Sequence, residues 1–306
     1  MHVSIAIVGY RNLGDILRCL SALERSTHQD FEVIVCENGG SAAFDALRAA
    51  APAALPGGQP VRIVLAPGNL GFGGGVNTCF RETPAADAWW VLNPDTQPHP
   101  DALAAQIRRL SVGDCEAVGC VLYLPDGRVQ SYGGRWSAWL ARPQSIGNGA
   151  PLEAGVDPKV IEKTQSYLNG ASMLIGRRFL EVVGPMREEY FLYCEEVEWC
   201  LRAVALGMRL GFAPDALVRH DQGATTGAGD AHARRPRMPI YLGERNKLLL
   251  TRDCFPQWLA VATVSVFAMV VLRYARRGAW RQVAYGLSGL LAGVLNERGA
   301  PSWVEV

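Results

Sequence analysis

The chain has 306 residues, 49% of them hydrophobic, and sets 30 Lys and Arg against 29 Asp and Glu. That apolar content fills a core in one large domain or two small ones and excludes a disordered chain. A net charge near zero lacks the electrostatic footprint of a protein that lives on nucleic-acid phosphates, so no nucleic-acid partner is expected.

The eight cysteines, Cys19, Cys36, Cys79, Cys115, Cys120, Cys194, Cys200 and Cys254, include no CxxC pair, and the first residues lack the basic-then-apolar order of a signal peptide. Buried free thiols in a reducing cytoplasm are the expectation. The run Val3 to Val8 is short, apolar and rich in β-branched side chains, which predicts a buried parallel strand. Ile16, Leu17, Leu20 and Leu23 then recur at helical spacing, and Phe31 to Cys36 reads as a second strand. A helix near Ala42 to Ala50 and strands over Val61 to Leu65 and Trp89 to Leu92 continue the alternation. Strands alternating with helices predict an α/β fold with a doubly wound, mainly parallel sheet.

From Val129 to about Pro158 glycines and prolines separate several aromatic residues, the composition of a loop-rich segment over a site. Order returns at Tyr167 to Gly176, in an acidic helix near Glu195 to Leu206 and in a strand near Arg209 to Ala213. Beyond Pro239 the character changes. Trp258 to Leu272 is almost uninterrupted apolar sequence, Arg273, Arg276 and Arg277 follow, and a second apolar stretch runs from Ala279 to Leu295. The first stretch falls short of the roughly 18 to 20 residues of a spanning helix, so a re-entrant or in-plane helical hairpin on an anionic leaflet is the favoured expectation, with a helix pair packed on the core as the alternative.

Ligands of open parallel sheets collect at the carboxyl ends of the strands. Tyr10 and Asn12 follow the first predicted strand, Glu37 to Gly40 the second, the glycine-rich segment Gly68 to Asn77 the third, and Asn93-Pro94-Asp95-Thr96 the fourth. The glycine cluster is not a dinucleotide fingerprint, because Val76 stands where the last glycine belongs and the cluster follows the wrong strand. A carboxylate such as Asp95 at a strand end can ligate a divalent metal that bridges two phosphates. Glu195, Glu196 and Glu198 crowd a helix start, and His220 closes a short stretch that reads as a strand. Singly, each of these has an ordinary structural explanation.

In order, they resemble the family 2 glycosyltransferases, particularly the rhamnosyltransferase-like branch that builds bacterial cell-surface polysaccharides. The matching residues are Tyr10 and Asn12; Glu37-Asn38-Gly39; Asn69-x-Gly71-Phe72-x-x-Gly75-x-Asn77; Leu92-Asn93-Pro94-Asp95-Thr96; Asn169-Gly170-Ala171; Phe191-Leu192-Tyr193-x-Glu195-Glu196-Val197-Glu198; and His220 with Thr225 and Thr226. A weaker echo runs from Tyr241 to Asn246. Two departures stand out: Asn93 replaces the first Asp of the D-x-D metal motif, and Glu196 stands where the family's catalytic Asp is usual.

The resemblance implies a GT-A catalytic domain over residues 1–238 and a helical, membrane-associating segment over 239–306. It implies an inverting enzyme with Glu196 as base and Glu195 as alternate, and a donor site of Tyr10, Asn12, Glu37, Asn69, Gly71, Asn77, Asn93 and Asp95. Asp95 and His220 would hold Mg2+ or Mn2+, and Trp136, Gly170 and Trp199 would meet the acceptor. The implied donor is a dTDP-, UDP- or GDP-linked sugar, with rhamnose leading, and the acceptor a saccharide, lipid-linked in the preferred reading, at the inner face of the cell membrane. The competing expectations are a non-catalytic sugar-nucleotide-binding or scaffold subunit and a sugar nucleotidyltransferase.

Overall fold

In the computed structural model, which describes residues 1–221 and 234–304, the expected alternation forms the first half of the molecule. It runs β1 (Val3–Gly9), α1 (Leu13–Leu23), β2 (Phe31–Glu37), α2 (Ser41–Ala50), β3 (Val61–Leu65), α3 (Gly71–Glu82) and β4 (Ala88–Leu92). All seven residues of β1 are buried because the strand is covered on both faces. Ile5 and Ile7 face one layer with Leu20 and Leu23 of α1, while Ala6 and Val8 face the other with Val76 and Phe80 of α3.

The chain continues through β5 (Thr96–Pro98), α4 (Ala102–Leu110), β6 (Ala117–Tyr123), β7 (Val129–Ser131), β8 (Gly134–Ser137), β9 (Arg142–Ser145), α5 (Pro158–Thr164), β10 (Ser172–Gly176), α6 (Arg177–Val183), α7 (Glu195–Ala205) and β11 (Leu210–His220). The main sheet has the order β3-β2-β1-β4-β10-β6-β11-β5, with β7 on β6. Pairing is parallel among β3, β2, β1 and β4 and between β6 and β11; β10 is antiparallel to both its neighbours, and β5 is antiparallel to β11. The sheet is thus mixed but mainly parallel. The predicted strand near Arg209 to Ala213 extends to His220, through an irregularity between Ala213 and Leu217. The loop-rich segment carries a small β8–β9 hairpin outside the main sheet.

The C-terminal region is helical: α8 (Arg237–Cys254), α9 (Leu259–Tyr274) and α10 (Trp280–Val294). The division expected at residue 238 falls at the start of α8, yet packing is continuous across it, since Leu249 and Leu250 join the layer that holds Val8 and Trp199. Glycines of α10 let it approach closely: a Cβ on Gly289 would come within 2.3 Å of the Tyr241 carbonyl oxygen, and one on Gly293 within 2.8 Å of that of Arg245. Pro256–Arg277 is long and apolar enough to cross a membrane by length and composition, more than the apolar run predicts, because short 3-10 turns extend α9 at both ends. Trp258, Val261, Val264, Phe267 and Leu272 lie exposed along it. All eight cysteines are free, and all but Cys254 are buried.

Candidate active site

The parallel register brings Gly9 level with Glu37, and Glu37 level with Leu65, so the loops after β1, β2 and β3 meet at one sheet edge. Glu37 is buried there, and its Oε1 accepts from the backbone N–H groups of Arg11 (3.0 Å) and Gly39 (2.7 Å). It therefore braces two loops through Oε1. Asn12 Oδ1 accepts from the Tyr10 N–H (3.0 Å), and Asn69 Oδ1 from that of Gly71 (3.1 Å). Tyr10 is half-buried, with the Arg11 guanidinium 5.3 Å from its ring centroid.

Asn77 is also buried. Its amide donates to the Met186 carbonyl (2.9 Å) and Glu188 Oε1 (2.9 Å) and accepts from the Met186 N–H, so it ties α3 to the segment before α7 instead of reaching a donor. Asn38, not singled out as a binding residue, fastens the start of α3 by donating to the Gly71 carbonyl (2.9 Å). Gly71 has φ +71, and a Cβ there would lie 2.0 Å from the Phe191 carbonyl oxygen. Glycine fits this close approach where an L side chain does not.

Beyond β4, the Asn93 N–H donates to the Ala171 carbonyl (2.9 Å), and the Asn93 carbonyl accepts from the Thr96 hydroxyl (2.6 Å). Asp95 Oδ1 lies 3.3 Å from Nε2 of His220, both side chains being almost fully buried. His220 Nδ1 is 2.8 Å from Gln130 Oε1. An amide oxygen only accepts, so Nδ1 carries a proton and Nε2 is the ring atom that faces the carboxylate. A carboxylate oxygen and an imidazole nitrogen on adjoining strand ends are a donor pair that a divalent cation can use. Their separation is close to the roughly 3 Å between neighbouring ligands on an ion with 2.0–2.1 Å bonds. Asp15, at the start of α1, has its carboxyl raised chiefly by burial, against the pull of its ion-pair partner Arg18 and with smaller contributions from Asp95 and Asp221. The residues fit a divalent cation, although among the described residues no group of three His, Cys, Asp or Glu side chains forms a ready-made cage. Thr225 and Thr226 lie outside the described residues.

The three acidic residues at the head of α7 diverge, as successive helix positions must. Glu198 is committed to Arg202 (2.9 Å) and Arg187 (3.2 Å). Glu195 is buried toward α3, its Cβ 3.8 Å from where a Cβ on Gly73 would stand, and its Oε2 has no partner. Glu196 is half-buried and lies against Gly170, where an added Cβ would sit 3.2 Å from its Cγ. Gly170 precedes Ala171, which is bonded to Asn93, so one short path of contacts joins Glu196 to the Asp95 turn. Burial raises the carboxyls of Glu195 and Glu196 above the usual range, and the Glu196 charge adds to the effect on Glu195.

The turn that delivers Glu196 is strained. Phe191, Tyr193 and Cys194 have φ of 66°, 75° and 71°, each costing on the order of 1–3 kcal/mol for a residue other than glycine.

Trp199 is corrected from acceptor platform to core. It is fully buried, its indole donates to the Gly184 carbonyl (2.8 Å), and its ring meets Phe179 edge-on. Trp136 is half-buried between the sheet and the C-terminal helices, with its indole N–H unpartnered. The hairpin that carries Trp136 reaches α9, where Ser265 donates to the Trp139 carbonyl (3.2 Å). Gln130 escapes sequence reasoning because it lies in the weakly patterned segment.

Comparison with known proteins adds a family, two relatives and two solved structures. The model of glycosyl transferase family 2 matches residues 4–158. The N-acetylglucosaminyl-diphospho-decaprenol L-rhamnosyltransferase of Mycobacterium tuberculosis is 26% identical over 253 residues, covering 75% of this chain and 80% of that one. A low-salt glycan biosynthesis hexosyltransferase of Haloferax volcanii is 24% identical over 144 residues, 45% of each chain. Among solved structures, a mannosyltransferase from Pyrobaculum calidifontis in complex with GDP-Man and Mn2+ superposes with a TM-score of 0.56 at 15% identity, covering 97% of this chain and 88% of that one. S. aureus TarS 1-349 in complex with UDP-GlcNAc gives 0.54 at 11% identity, covering 97% and 93%.

Proposed function

The chain belongs to glycosyl transferase family 2, and on that premise we propose that it moves a sugar from a nucleoside diphosphate to a saccharide acceptor with inversion at the anomeric carbon. The observation that carries this reading is the short path joining Asp95, Asn93, Ala171, Gly170 and Glu196 at the carboxyl end of the sheet. Asp95 and His220 would hold Mg2+ or Mn2+, which neutralises the departing diphosphate. Tyr10 would hold the base, and the bonds of Glu37, Asn12 and Asn69 that fix the loops around it support this reading.

Glu196 takes the proton from the acceptor hydroxyl as that oxygen attacks opposite the leaving group. Its raised proton affinity suits a base, and such a base contributes about 10²- to 10⁴-fold in rate. Glu195 is kept as a buried brace beside it.

Rhamnose is the proposed sugar and a lipid-linked saccharide the proposed acceptor, consonant with the mycobacterial relative's name. The exposed apolar face of α9, with Arg273, Arg276 and Arg277 at its end, suits the cytoplasmic face of an anionic membrane, with residues 239–306 as the associating segment. Incubation with dTDP-, UDP- and GDP-linked sugars, Mn2+ and a polyprenyl-diphosphate-linked saccharide tests the reading. Acceptor-dependent release of nucleoside diphosphate is the expected result. Pyrophosphate would instead identify a nucleotidyltransferase, and binding without turnover a scaffold.

A further inference from the structure

Asn246 and Arg245, near the middle of α8, are fully buried polar side chains that touch none of the proposed donor or metal residues. The Asn246 amide nitrogen, with two hydrogens, lies within hydrogen-bonding distance of the carbonyls of Tyr190 (2.9 Å), Leu192 (2.8 Å) and Tyr193 (2.7 Å), so one N–H is shared between two of them. Arg245 donates to the Tyr190 carbonyl (3.0 Å), to the Gly299 carbonyl (2.7 Å) and to Asn246 Oδ1 (2.9 Å), which fixes the amide's orientation. The remaining carbonyl of the segment, that of Phe191, accepts from the Phe72 N–H on α3 (2.8 Å). Four consecutive carbonyls are thus held from two directions, in the segment whose Phe191, Tyr193 and Cys194 adopt left-handed backbone. Such backbone persists where its surroundings over-determine it, and it clusters where a side chain must be aimed. Burying a guanidinium is costly without a strong reason.

We propose that Asn246 and Arg245 are positioning residues for glycosyl transfer, holding the turn 191–194 so that Glu196 stays against Gly170. This rests on the reading of Glu196 as the base. The two act through Glu196 and touch neither donor nor metal, so their loss changes turnover and leaves donor binding in place.

The test uses the full-length chain with Asn246→Ser, which leaves room for water to reach the carbonyls. Arg245→Met, a long apolar replacement of a buried cation, serves as the second variant because such exchanges are commonly tolerated. Folding is checked by thermal melting and near-UV circular dichroism. Each variant is assayed for kcat, donor KM and donor Kd, alone and combined with Glu196→Gln.

The folded variants are expected to lose about 10- to 100-fold in kcat, the scale of a small misplacement of a catalytic group, with donor Kd within about threefold. In the Glu196→Gln background the same substitutions should have little further effect, as expected of groups acting as one unit. If either folded variant turns over at the wild-type rate, or if the losses multiply in the double variants, the positioning role is overturned. A wild type that turns over no donor overturns the underlying reading, and this proposal with it.

Discussion

Two turns bring chemistry to the carboxyl edge of the sheet, and they are built in opposite ways. The Asn93–Asp95 turn has no left-handed residue; Thr96 closes it from within on the Asn93 carbonyl, and backbone bonds tie it to Ala171, just before β10, and to Asp221. The Phe191–Cys194 turn has three left-handed residues other than glycine and is held by α3 and α8, more than a hundred residues away on one side and about fifty on the other. In the proposed function the first would present metal ligands that phosphates help to organise, while the second would aim a single carboxylate at a hydroxyl. The comparison teaches that the turn with left-handed backbone is the one whose carbonyls are held by a buried side chain of another helix.

The largest expected effect breaks the comparison at the second turn. Glu196→Gln keeps size and removes the proton acceptor, so kcat should fall about 10²- to 10⁴-fold, while Glu195→Gln, altering a residue that faces α3, should lose much less. Steady-state rates of the two variants side by side check this, and near-normal turnover in Glu196→Gln would remove it as base.

At the first turn, Gln130→Leu deprives His220 of the acceptor that fixes its tautomer. A loss of about 10- to 100-fold in Mn2+ affinity is expected, the usual scale for a partner behind a metal ligand. Calorimetric titration with Mn2+ in the presence of nucleoside diphosphate measures it.

Gly71→Ala sharpens the contrast through stability, since its φ of +71 alone costs a non-glycine residue about 1–2 kcal/mol. The clash with the Phe191 carbonyl adds to that cost. A fall in Tm of several degrees should accompany loosening of the second turn, visible as faster hydrogen exchange over residues 190–196.

The smallest effect concerns pH. Folding raises the Glu195 carboxyl, through burial and then the Glu196 charge, so the folded chain keeps a proton that the unfolded chain releases above its ordinary value of about 4.3. This group's contribution to stability is full below that value and is lost as pH rises through the folded value. Glu195→Gln removes the loss, so its Tm relative to wild type should climb between pH 4.5 and pH 8. A flat or falling difference would show that Glu195 is not held protonated.

Much of the fold was legible because local signals agree with it. The β-branched runs at Val3 and Phe31 are buried on both faces, and the turn residues Asn93 to Thr96 close on themselves. Asp95 and His220 were legible as a pair only through the family resemblance, and the structure brings them together because β11 ends beside the Asp95 turn. Residue type alone does not say which partners a buried polar group takes, so the bonds by which Glu37 and Asn77 brace their loops were not legible in the sequence. An indole one helical turn past an acidic pair can face cleft or core, and Trp199 faces core. Asn246 carried no local signal of its role, since the carbonyls it holds belong to another part of the chain.

The division of labour between the two turns is tested most directly by the donor dissociation constant in the presence of Mn2+, measured on wild type, Asp95→Ala and Glu196→Gln under one set of conditions. The account predicts at least tenfold weaker binding for Asp95→Ala and wild-type binding for Glu196→Gln. Unchanged donor affinity in Asp95→Ala, or an equal loss in Glu196→Gln, would contradict it.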